Sequence, residues 1–99
     1  DTRLSIETRK QALFWAGQAG VGVADLAAIY DNARTDRELR EAVIFSLSQR
    51  RNNREAIDKL ISIVRTEQDP ELRRQATFWV GQSRDPRAAA LLEELINKP

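Results

Sequence analysis

The residues able to do chemistry are few and mostly of one kind. His and Cys are both absent, which removes the commonest general base, the usual zinc ligands and the strongest nucleophile. Carboxylates remain, and Glu67, Asp69 and Glu71 bunch near an expected helix start, where the helix dipole favours anions. Without a fixed loop to aim them they make no metal site. Arg50, Arg51 and Arg54, with Asn52 and Asn53, form the one local basic cluster and could touch phosphate or an acidic partner. Their place on a hairpin tip in a nearly neutral chain favours a solvated turn. Gly17, Gly20 and Gly22 match a phosphate-binding glycine loop only in composition, since they follow a helix rather than a strand and lack the lysine. The expectation is a chain with no catalytic residue, no cofactor and no metal.

Two further sets have a chemical and a structural reading each. Trp15 and Trp79 could anchor an interface, but they sit in the most apolar stretches of the chain, so both are expected in the core. Arg9, Arg40 and Arg73 could form a ligand-reading ladder. Asp36/Arg40 and Asp69/Arg73 are four apart, a same-face helical spacing, so each Arg is expected to reach a carboxylate in its own first turn or in the next repeat. Gln18, Gln49 and Gln82 are expected to satisfy helix-end carbonyls or to bridge repeats.

These columns exist because the chain repeats. Residues 7–18 read ETRKQALFWAGQ and residues 71–82 read ELRRQATFWVGQ; a weaker copy, ELREAVIFSLSQ, spans residues 38–49. The copies start 31 and then 33 residues apart, which marks a repeat array rather than a single-core domain. Ser5, Asp36 and Asp69 align as N-cap residues, and Pro70 follows at the first helical position, where its missing N–H does no harm. Thr35 and Glu38 offer an alternative capping box in the middle copy. A first helix of about a dozen residues then runs to Gln18, Gln49 or Gln82. Turns at 19–22, 50–53 and 83–86 carry Gly pairs, Asn-Asn and Asp-Pro.

Second helices follow. Ile57, Leu60, Ile61 and Val64 form an apolar stripe at i, i+3, i+4 and i+7. Leu26, Ile29 and Tyr30 match it in the first repeat; Leu91, Leu92, Leu95 and Ile96 match it in the third. The first helices are apolar over more than one face, as expected of helices sandwiched between their own partner and a neighbouring repeat. Trp15, Ser46 and Trp79 align, so a small Ser is expected to stack between two indoles.

Bulk composition agrees with a folded, soluble chain. It is 41% hydrophobic and 31% charged, enough apolar surface to offset chain entropy. A net charge of +1 gives no global field to draw in nucleic acid or an acidic membrane. Ala12 to Tyr30 approaches the length of a membrane span, but it contains Gln18, Asp25 and the three glycines, which fits two short helices joined by a turn. With no Met, and Asp at its start, the chain is expected to be a piece of a longer protein, of unknown compartment.

The pattern D-P-E-L-R-x-x-A-x-x-x-x-G-Q, followed by Asp85-Pro86 and a Leu-rich helix, resembles the HEAT-like repeats of bacteria, in particular the short type of phycobilisome lyases. The resemblance covers Ser5 to Ile96. It implies an all-α fold, a right-handed α-α superhelix (a HEAT-like solenoid) of three helical hairpins, with repeats at about 5–34, 35–67 and 68–98. It also implies that the second helices line a concave binding face. Carried onto this chain, the partner-binding candidates are Asp25, Ala28, Arg54, Asp58, Lys59, Ser62, Arg65, Arg87, Glu94 and Asn97. Their mixed signs fit a protein partner better than a phosphate backbone. A helix of a dozen residues is about 18 Å long, and three neighbours at about 10 Å spacing span roughly 30 Å. The face is then on the order of 500 Å², below the roughly 800 Å² per partner of a standard interface. Tight binding would need a homodimer, end-to-end stacking or further repeats. The expected role is a non-enzymatic protein-interaction scaffold. The rivals are a nucleic-acid-binding module using Arg50, Arg51, Arg54 and Arg87, and an accessory part of a lyase.

Overall fold

The computed structural model describes residues 11–12, 14–15, 17–18, 20–50 and 53–97. Among them are five helices: α1 (Val23–Asn32), α2 (Arg37–Ser48), α3 (Arg54–Thr66), α4 (Pro70–Gln82) and α5 (Pro86–Asn97). Gln11, Ala12, Phe14 and Trp15, where the first helix of the first hairpin is expected, are also helical.

Local chemistry sets the boundaries. The Asp36 carboxylate accepts from the Leu39 N–H and starts α2, so Asp36 rather than Thr35 is the cap. Asp69 accepts from the N–H groups of Glu71 and Leu72, with Pro70 behind it. Asn53 caps α3 through the Ala56 N–H, and Asp85 accepts from the Arg87 N–H at the start of α5. Ser5 lies outside the described residues. The α4–α5 turn is closed by Arg84 at φ 62°, a left-handed conformation that a non-glycine residue adopts at a cost of about 1 kcal/mol.

The helices form two layers. α2 packs against α4 in the first-helix layer, and α1 against α3 in the second; α1–α2 and α3–α4 contacts join one repeat to the next. The extents of 43 × 30 × 15 Å describe a slab whose thinnest dimension matches two helices about 10 Å apart. Between the layers lies one core that includes Leu26, Val43, Leu47, Leu60, Leu72, Val80 and Leu91. Of the expected stripes, Ile57, Leu60 and Val64 are buried, Ile61 is half-buried, and Ile63 joins them. In α5 the stripe is shorter than expected: Leu91 is buried, Leu92 and Leu95 are half-buried, and Ile96 is 81% exposed because no helix of the described chain packs over it.

Arg40 and Arg73 do not make the expected contacts. Arg40 reaches Glu67, at the far end of its own hairpin, at 2.6 Å, and its Nε donates to the Tyr30 carbonyl at 3.1 Å. The Tyr30 hydroxyl also donates to Glu67, and the Arg40 guanidinium lies 4.3 Å from the Tyr30 ring centroid. Arg73 donates to the Glu67 carbonyl, and Arg9 lies outside the described residues. Burial pushes the Glu67 carboxyl up, but the hydrogen bonds from Tyr30 and from the Asp69 N–H, with the Arg40 charge, outweigh it and hold the group below its ordinary value. Burial and the same Glu67 contact push the Tyr30 phenol up. This knot ties α1, α2 and the end of α3 together across a repeat boundary.

Candidate interaction surface

The second-helix face was the sequence's candidate, and three ion pairs run across it. Lys59 of α3 pairs with Asp31 of α1 at 2.7 Å, Arg65 of α3 with Glu94 of α5 at 3.0 Å, and Arg87 of α5 with Asp58 of α3. Arg87 also holds Asp85 at 3.1 Å. These carboxylates raise the Arg87 guanidinium, and the Arg87 hydrogen bonds hold Asp85 below its ordinary value. Asp58, Lys59, Arg65, Arg87 and Glu94 therefore hold neighbouring repeats to one another. Lys59, Ser62 and Arg87, expected to face solvent, are half-buried. Asp25, Ala28, Arg54 and Asn97 are exposed. Asp31 was not among the candidates. Its signal was the offset: the pairs are 28 or 29 residues apart, about one turn short of the repeat length.

The hairpin-tip arginines are also engaged. Arg50 donates to the Ser46 carbonyl and hydroxyl at 3.1 Å each, to the Gln18 carbonyl at 3.3 Å and to the Val21 carbonyl. It thus pins the end of α2 to the turn of the preceding hairpin. Of the four arginines proposed for phosphate, Arg50 and Arg87 carry structural contacts, Arg54 is exposed, and Arg51 lies outside the described residues, as does Asn52. Gln49 donates to the Ser48 hydroxyl at 3.2 Å, neither to a helix-end carbonyl nor across repeats.

The opposite face carries the unexpected feature. Phe14, Trp15, Phe45 and Phe78 are 63%, 56%, 56% and 56% exposed. Trp15, expected in the core, is thus a surface residue set edge-on to Phe14 at 6.2 Å. Trp79 is half-buried on the core cluster and stands between Phe45 and Phe78, with centroid distances of 6.0 and 5.0 Å and near-perpendicular rings. Ser46, the small member of the expected indole column, is buried and bonded to Arg50. The helix period explains the row. Phe45 lies two residues from buried Val43 and Leu47, and Phe78 two from buried Ala76 and Val80, which turns each ring about 160° away from the core. A first helix is covered on its inner face and on the flank of each neighbouring repeat, but not on its outer face. The legible signal was a Phe at the same place in all three copies, residues 14, 45 and 78.

Beside Phe14 and Trp15 an open groove of about 960 Å³ extends along α1, reaching Asp25, Ala28 and Ile29. On the other side of the row, the Gln75 amide donates to Glu41 at 2.7 Å and to Glu71 at 3.2 Å, joining α2 to α4. Among the described residues no helix is long and apolar enough to cross a membrane, and no group of three or more carboxylates is placed to hold a metal.

Comparison with known proteins gives one match: the family model described as HEAT repeats covers residues 23–99. No curated protein and no solved structure matches the chain significantly. The match takes in all five helices, whose capped pairs stack in register as repeats of that kind must, and on these grounds the chain belongs to the HEAT-repeat family.

Proposed function

We propose that the chain is a non-enzymatic protein-interaction scaffold that docks its partner on the aromatic row of its first helices. One observation carries this reading: Phe14, Phe45 and Phe78, at the same position in all three copies, each stand more than half exposed, with the exposed Trp15 beside Phe14. Exposed apolar area of this size and order marks interaction surfaces, and aromatic rings supply most of the energy at such contacts. The family supports the same role, since HEAT repeats generally serve as protein-interaction scaffolds and are typically non-enzymatic. The second-helix face is the lesser candidate, because half of its nominated residues are already engaged in ion pairs between repeats.

Capture of partners from the source cell on immobilised protein tests the assignment. Phe45→Ser with Phe78→Ser should strip the bound proteins while far-UV circular dichroism stays unchanged. Arg54→Glu with Asn97→Lys, two exposed changes on the other face, should leave them bound. The reverse pattern would move docking to the second helices and sink the proposal.

A further inference from the structure

We infer that the aromatic row receives a polypeptide segment that presents lysine or arginine side chains next to large apolar ones. The inference rests on the docking reading above and adds the chemistry of the partner. Around each helix axis, Glu38 and Glu41 share the outward face of α2 with Phe45, and Glu71 and Arg74 share that of α4 with Phe78, all within about 40° of the ring. Among the described residues of this rim, Glu38, Glu41 and Glu71 are acidic and Arg74, which lies on Glu71, is basic.

Glu41 and Glu71 are held together. One amide nitrogen, that of Gln75, donates to both carboxylates, so the accepting oxygens are no more than about 6 Å apart, the range in which like charges repel appreciably. Arg74 offsets the Glu71 charge from one side, and a cation from a partner on the Glu41 side adds to that relief. The neighbouring rings suit the same guest: Phe45 and Phe78 are exposed and set edge-on to the half-buried Trp79, and an aromatic face attracts an ammonium or guanidinium within about 6 Å of its centroid. A basic group thus meets carboxylates on one side and ring faces on the other, while apolar side chains cover the rest of the row. An acidic segment meets the same rings but is repelled by the rim.

The test uses three labelled synthetic peptides: an amphipathic one built of Lys and Leu, its counterpart with Glu for Lys, and one with Ser for Leu. Anisotropy reports binding to the full chain, and light scattering reports its oligomeric state. The Lys–Leu peptide should bind and the other two should bind far more weakly. Glu41→Gln with Glu71→Gln, which keeps acceptors for Gln75, should weaken it roughly tenfold. Phe45→Ala with Phe78→Ala should weaken it by roughly 30-fold or more. Equal binding of the Glu–Leu peptide, or indifference to the glutamine changes, overturns the charge assignment while the row stays a docking surface. Indifference to the alanine changes overturns the row as well. A dimer that dissociates on Phe45→Ala with Phe78→Ala would show a second copy filling the row, and would also overturn the inference.

Discussion

Glu67 shows how much one residue can carry in a small array. Its side chain is 8% exposed and that of Arg40 is 14% exposed; the carboxylate also accepts from Tyr30 and from the Asp69 N–H. Removing one partner of a buried pair leaves the other charge without compensation, at a cost of roughly 3–5 kcal/mol. Glu67→Gln keeps an acceptor for Tyr30, so a loss of about 3 kcal/mol at neutral pH is expected from urea melts. The sign with pH follows from the depressed carboxyl. Its stabilising contribution is full above the ordinary value of 4.5 and is lost as pH falls through the lower folded value. The gap between the native chain and Glu67→Gln should therefore close below about pH 4.5. A gap that stays constant into acid would mean that the charge contributes nothing.

At the scale of the element, each first helix has two apolar faces with different work to do. Val80 is fully buried whereas Phe78 is more than half exposed, two residues away on α4. Truncating Val80 to Ala deletes core methyls, with an expected cost of about 1–2 kcal/mol. Phe78→Ser should change stability by less than about 0.5 kcal/mol, as surface substitutions usually do. Thermal melts of the two variants decide it. If Phe78→Ser proves as costly as Val80→Ala, the outer face is a second core face and the docking assignment falls.

For the whole molecule, stability is a sum over neighbouring units, because a repeat touches only the repeats beside it. The ties between units fall into three tiers: Arg37–Asp69 at 2.7 Å and Gln75–Glu41 in the first-helix layer, the shared apolar core, and the ion pairs of the second-helix layer. Each of these ion pairs has at least one exposed member and is individually weak. Arg65 and Glu94 are 50% and 41% exposed, so their coupling is expected to be about 0.5 kcal/mol and to fade with salt. Arg65→Glu should lower the urea midpoint slightly, and adding Glu94→Arg should restore it. No recovery in the double variant would mean that the pairs do not set the register of the stack.

What the sequence determined alone was whatever depends on near neighbours in the chain. Asp36, Asp69, Pro70 and Asp85-Pro86 mark helix starts because capping acts over two or three residues. The stripe through Ile57, Leu60 and Val64 marks a buried face because the helix period is fixed. The repeat itself announced a stacked array, and the missing His and Cys removed most catalytic chemistry. Tertiary structure alone decided what covers each face. Trp15 and the Phe14, Phe45, Phe78 column look like core in a helix apolar all round, and only the layer arrangement leaves their outer side bare. It likewise decided that Lys59, Arg65 and Arg87 pair across repeats, because a pairing 28 or 29 residues away depends on how one helix is staggered against the next. Burial and long-range charge pairing are properties of neighbours in space, and a repeat names its neighbour without giving the angle at which they meet.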